Sequence, residues 1–188
     1  MLLNQPYRSW HHGIGVRRID HVNLHTTRDP AVTRDWMSDN LGFKVREYAS
    51  KPDGLIGAWM SVTPLVHDVA IMNAGPHDPT PARMHHVAFW LDSPADVLRA
   101  ADIIVEAGIK PDQGPGKHGV SQAMFLYVRD PGSGHRVEIF SSGYLIFDPD
   151  WEPVEWTMKD VMMALTMWGP SDYIPHTDDH VMNITTEA

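Results

Sequence analysis

Ile19-Asp20-His21-Val22-Asn23-Leu24 and Met84-His85-His86-Val87-Ala88-Phe89 read almost alike, each a short apolar run that alternates like a strand. A period of two marks a β-strand with one buried face. Each copy sets a histidine inside the apolar pattern. A third run, Arg136-Val137-Glu138-Ile139-Phe140, carries a carboxylate where an apolar side chain is expected. One inward histidine costs little, but two of them with an inward glutamate leave expensive unpaired polar groups unless something binds all three. A divalent metal meets that need. Two imidazoles and one carboxylate suit non-haem Fe(II), with open positions for substrate and oxygen.

The surroundings of the two histidine strands repeat as well. After the strand from Arg18 to Leu24, Asp29-Pro30 offers a helix N-cap followed by proline at the first helical position. That helix is expected to reach about Asn40 and to leave through Leu41-Gly42-Phe43. Strands are expected near 43–49, 56–63 and 67–73, and Ala74 to Ala82, rich in Pro, Gly and Asp, reads as a loop. After the strand from Met84 to Leu91, Ser93-Pro94 opens a second helix that ends at Gly108. The clearest strands beyond it are Gln122 to Val128 and His135 to Phe140, joined by the hairpin turn Asp130-Pro131-Gly132-Ser133-Gly134. The chain thus reads as an α+β fold of two βαβββ modules, residues 17–74 and 83–144, forming one catalytic domain over 17–144. Residues 1–16 lack periodicity and read as an arm or linker. Residues 145–188, with Phe147, Trp151, Trp156, Trp168 and Tyr173 among prolines and acids, read as a wrapped tail or lid.

Composition narrows the function classes. The 188 residues, 43% of them apolar, suffice for one compact core. A net charge of −9 disfavours nucleic acids and anionic membranes as partners. No apolar run is long enough to span a bilayer. The absence of cysteine removes disulfides, thiolate metal sites and cysteine nucleophiles. The opening Met1-Leu2-Leu3-Asn4-Gln5-Pro6 has no basic stretch leading into an apolar one, so a cytoplasmic protein is expected. Other candidates read more blandly. His11-His12 read as exposed bystanders, and His176, Asp178, Asp179 and His180 as a solvated tail. His85 reads as a supporting residue rather than a ligand. Met158, Met162, Met163 and Met167 recur at helical spacing, which predicts a buried helix face or an oligomer contact.

Two modules, each opening on a histidine strand, resemble the vicinal-oxygen-chelate superfamily. Within it, Asp130-Pro131 through Gly134-His135-Arg136-Val137-Glu138-Ile139-Phe140 resembles the signature of extradiol ring-cleavage dioxygenases, the catechol 2,3-dioxygenase family. The likeness runs from about 17 to 160 and matches the catalytic half of those enzymes, with residues 1–16 resembling the linker that precedes it. It implies an open-barrel domain and carries roles over residue by residue. His21, His86 and Glu138 match the metal ligands, and the metal is Fe(II), which Mn(II) can replace without changing a ligand. His67 matches an acid–base histidine, His118 a histidine beside substrate and oxygen, and Tyr127 a tyrosine that hydrogen-bonds a catechol oxygen. The implied partners are a catechol and O2, the product a 2-hydroxymuconic semialdehyde. Members acting on carboxylated catechols hold the carboxylate with arginines. Here Gln113 stands five before His118 and Ala164 to Gly169 has no arginine, which favours an uncharged catechol. The common type carries a further N-terminal pair of modules, so a homo-oligomer is expected to cover the face they would bury. The rival readings are a metal-dependent glyoxalase or thiol transferase, and a non-enzymatic small-molecule binder of the same fold.

Overall fold

The computed structural model describes residues 13–26, 29–74, 82–169 and 182–183. The leader histidines, most of the loop expected at 74–82, and the acidic and histidine-bearing stretch around 176–180 lie outside these residues. The first module is β1 (Arg18–Thr26), α1 (Pro30–Leu41), β2 (Lys44–Lys51), β3 (Gly54–Ser61) and β4 (Val69–Asn73). The second is β5 (Ala82–Leu91), α2 (Pro94–Glu106), β6 (Gln113–Lys117), β7 (Ala123–Arg129) and β8 (Arg136–Ser142). The tail adds β9 (Val154–Trp156), α3 (Val161–Leu165) and β10 (Met182–Asn183).

Among the described residues one sheet contains every strand, in the order β6-β7-β8-β5-β1-β4-β3-β2-β9, with β10 beside β5. The two modules are wired alike. In each, the opening strand pairs in parallel with the closing strand, β1 with β4 and β5 with β8, and β1 and β5 join the modules antiparallel. The sheet curls without closing, because Gln113 on β6 and Trp59 on β3, at nearly opposite ends of that order, line the same cavity.

Helix positions follow from local chemistry. The Asp29 carboxylate accepts a hydrogen bond from the Ala31 N–H at 2.9 Å, and Gly42 closes α1 in the left-handed region at φ 74°. Ser93 caps α2 in the same manner through the Asp96 N–H. Both helices cover the outer face of the sheet. Val97, Ala100 and Ile104 pack on Leu91, Met124, Leu126 and Ile139, while Met37 of α1 packs on Leu55, Ala58, Met60 and Ile71. Because side chains alternate along a strand, Ile139 and Leu126 face the helix while Glu138, Phe140 and Tyr127 face the interior of the curl.

Two expectations change. The fourth strand of the first module, β4, begins at Val69, so His67 precedes it in a loop rather than sitting in it. Asp68 holds that loop: its carboxylate accepts from the Val62 N–H at 2.8 Å, the Thr63 N–H at 3.1 Å and the Thr63 hydroxyl at 2.7 Å. The methionines form no buried helix face. Helix α3 is five residues long, Ala164 is its buried side chain, and Met158, Met162, Met163 and Met167 are all exposed. The tail docks instead by backbone pairing, β9 along β2 and Trp168 across Lys117.

Candidate active site

A cavity of about 260 Å³ opens on the inner face of the curled sheet, and His21, His67, His86, His118, Tyr127 and Glu138 all line it. Two irregularities in the sheet create this arrangement. The β1–β5 register slips between Ile19 and Val22 and again between Asn23 and Leu24. The second slip leaves His85 as an extra residue, so His85 and His86 both reach the cavity although they are neighbours in sequence. The first lies at Asp20-His21. Bulges of this kind re-aim side chains beside functional sites. Glu138 comes from β8, on the row formed by Gln113 of β6 and Tyr127 of β7.

Three donor atoms converge. His21 Nε2 and His86 Nε2 lie 2.9 and 3.0 Å from Glu138 Oε2, and 3.3 Å from each other. All three residues are buried, Glu138 being 1% exposed. Glu138 Oε2 takes no well-aligned hydrogen bond from either ring despite their closeness. Bonds of about 2.1 Å to a divalent ion put neighbouring ligand atoms about 3.0 Å apart in an octahedron and about 3.4 Å apart in a tetrahedron. The observed edges of 2.9, 3.0 and 3.3 Å fall in the span between these two values, so these residues suit a divalent metal.

The electrostatics are uneven. Burial lowers the pKa of His21, but the Asp20 hydrogen bond and the close negative charges of Glu138 and Asp20 outweigh it and raise it to about 9. His86 falls to about 4, burial prevailing over the pull of Glu138. Asp20 is buried beside His21, its Oδ1 taking the Nδ1–H at 3.1 Å while Arg18 holds its Oδ2 at 2.6 Å. Behind His86 stands His85, their Nδ1 atoms 2.7 Å apart, with the Arg136 guanidinium on the far side of His85.

Around the trio, the His67 ring packs 4.1 Å from that of His21. Its Nδ1 is buried without a hydrogen-bond partner among the described residues, and burial holds the imidazole well below its ordinary pKa, hence neutral. His118 donates from Nδ1 to the Leu165 carbonyl, which leaves Nε2 3.2 Å from the Tyr127 hydroxyl and 3.2 Å from Glu138 Oε1. The tail thereby orients His118. Gly119 permits this approach, since its N–H meets the Met163 and Ala164 carbonyls at 3.1 and 2.9 Å and a Cβ there would collide with Met163.

The family model described as the Glyoxalase/Bleomycin resistance protein/Dioxygenase superfamily matches residues 18–139. The chain belongs to this superfamily. Among curated members, it is 54% identical over 173 residues to a manganese-dependent 2,3-dihydroxybiphenyl 1,2-dioxygenase of Geobacillus genomosp. 3, covering 90% of this chain and 53% of that protein. It is 41% identical to a metapyrocatechase of Geobacillus stearothermophilus, covering 85% of this chain and 48% of that one. The crystal structure of homoprotocatechuate 2,3-dioxygenase from Arthrobacter globiformis superposes with a TM-score of 0.76 at 35% identity, over 89% of this chain and 50% of that one. The chain thus spans about half the length of these dioxygenases of the superfamily.

For this superfamily member, sequence reasoning overlooked several residues at the cavity. His25, Asn23 and Trp59 line it, and Asp20 supports it from behind. His25 and Asn23 stand at even spacing from His21, a signal the strand period carried. Trp59 and the role of Asp20 depend on curl and bulge, which leave no mark in the local sequence.

Proposed function

We propose that this chain is the catalytic part of a metal-dependent extradiol dioxygenase that opens the ring of an uncharged catechol with O2. The observation that carries the reading is the buried convergence of His21, His86 and Glu138 with His67, His118 and Tyr127 around one cavity. The metal, Fe(II) or Mn(II), would be held by His21, His86 and Glu138, and when bound it supplies adjacent open positions for the catechol oxygens and dioxygen. The similarity to a metapyrocatechase and to a manganese-dependent 2,3-dihydroxybiphenyl 1,2-dioxygenase supports this reading.

The chain's own groups suit the remaining tasks. The neutral His67 ring, beside His21, can accept a catechol proton and return it later. Tyr127 and His118, coupled at 3.2 Å, orient the substrate oxygens. Phe140 and Trp59 wall the cavity against water, and no lysine or arginine lines it among the described residues. That composition matches an uncharged catechol. It does not favour a glyoxalase or thiol transferase, nor a simple binder, neither of which uses a His67–His118–Tyr127 set. The proposal includes a cytoplasmic setting, in keeping with the acidic, cysteine-free composition, and self-association through exposed apolar residues such as Ile19, Leu145 and Phe147.

The test is to load the protein anaerobically with Fe(II) or Mn(II), add a catechol and admit air. A yellow ring-fission product is expected with catechol, 3-methylcatechol or 2,3-dihydroxybiphenyl, and no colour with any of them would overturn the reading. His67→Phe should keep the metal yet slow turnover by about 10²–10⁴, the range for losing a general acid–base. Metal analysis beside steady-state rates checks both halves. Asp20→Asn weakens the grip on the His21 Nδ1–H. It should lower metal affinity by about 10–100-fold, as loss of a ligand's outer partner does, measured by competition with a chelator.

A further inference from the structure

A second cavity, of about 370 Å³, lies behind the metal trio. Leu65, Val66, Trp90 and Phe140 form its apolar wall, and it opens to solvent among the described residues beside Arg18, whose side chain is 42% exposed. Its main polar side chains are already engaged. Asp20 pairs with Arg18 at 2.6 Å and with the His21 ring at 3.1 Å. Arg18 also lies over the Trp90 ring, 4.9 Å from its centroid, and the Tyr144 hydroxyl donates to Glu47 at 2.6 Å. A polar ligand would have to break these pairs to be held, whereas an apolar one gains simply by leaving water.

The partition between this outer cavity and the metal cavity is one residue thick. Asp20 lines the outer cavity and His21 the inner one, Val66 the outer and His67 the inner, and Phe140 lines both. The Phe140 ring stands edge-on to His21 and His67, with centroids 4.9 and 6.1 Å away, and lies 6.1 Å from Trp90 on the outer side. The terminal torsion of a phenylalanine is soft, so a small ring rotation there admits a diatomic molecule and not a catechol. We propose that the outer cavity is a binding site for O2, which passes Phe140 to reach the space beside His21 and His67 while the catechol enters from the inner face of the curl. The inference rests on the ring-cleavage reading above and adds where its gaseous substrate is collected. An apolar gas favours such a space, as xenon does in cavities lined by leucine and phenylalanine. A rear supply also leaves O2 access independent of the size of the catechol in front.

Xenon is the probe of the site itself. Methyl NMR spectra of the full chain under xenon pressure should show the Leu65 and Val66 signals moving with pressure, and the Leu65 shift should vanish in Val66→Phe, which fills the outer cavity. Steady-state rates of the metal-loaded chain at varied O2 test the route. Val66→Phe should raise the KM for O2 roughly tenfold, leaving the KM for catechol, the bound metal and the rate at saturating O2 unchanged. Leu65→Phe fills the same space from the neighbouring position and should act alike, so a misfolded Val66→Phe does not decide the matter. Leu65 and Val66 methyls indifferent to xenon, a KM for O2 that stays put in both variants, or an equal rise in the KM for catechol would overturn the route while leaving ring cleavage standing. Failure of the loaded wild type to cleave any catechol overturns the ring-cleavage reading and this one with it.

Discussion

Glu138→Ala should strip the protein of metal and of the proposed ring cleavage together. Glu138 Oε2 is the one anionic atom shared by both imidazoles, 2.9 Å from His21 and 3.0 Å from His86. Without it, a divalent cation would face neutral nitrogens in a buried site, with no negative charge to offset its lost hydration. The expected loss in metal affinity and turnover exceeds about 100-fold, the upper end of what removing a mere outer partner costs. Thermal unfolding supplies an independent readout. Metal at a hundred times its dissociation constant should stabilise the wild type by about 2.7 kcal/mol, a rise of roughly 5–10 °C. The variant should show no such rise. A variant that retained stoichiometric metal would remove Glu138 from the ligand set and with it the chemistry proposed here.

The second large effect concerns stability rather than chemistry. Glu47→Leu should cost about 3–5 kcal/mol, the range for breaking a buried charged network by removing one partner. Glu47 is 1% exposed. Its Oε1 accepts from the Ser121 N–H at 2.7 Å and the Tyr144 hydroxyl at 2.6 Å, and its Oε2 from the Trp156 indole N–H at 2.6 Å. One carboxylate on β2 thus ties together the turn before β7, the exit of β8 and the tail strand β9. Ser121 sits at φ 57°, a conformation that a non-glycine residue keeps only when its surroundings hold it. Leucine would leave three buried donors without an acceptor. The unfolding midpoint should fall by roughly 6–20 °C, and Glu47→Gln, which keeps one acceptor oxygen, should fall less. An unchanged midpoint for Glu47→Leu would show that these donors find other partners.

Much of the fold was legible because its signals are local. The strand-like apolar runs Ile19–Leu24 and Met84–Phe89, Asp29-Pro30 and Ser93-Pro94 at helix starts, and the Asp130–Gly134 turn each act within a few residues. The repeat of that grammar sufficed to show two like modules. Four methionines at helical spacing allowed a buried helix face or an oligomer contact, and the buried face does not form, since spacing records only that a helix could bury one face. Here backbone pairing of Lys117 with Trp168 ends α3 after five residues and leaves no partner face for them among the described residues.

What the chain determined by itself is therefore the chemistry available: two histidine strands, one carboxylate strand, an acidic surface and no thiol. Tertiary structure decided how that chemistry is aimed. The slips at Asp20-His21 and His85, the curl that brings β3 and β6 to one cavity, and the meeting of Glu47 with Trp156 depend on pairing between residues distant in sequence. The reason is physical. Strand register is set by contacts across the sheet, and a shift of one residue turns every side chain to the other face.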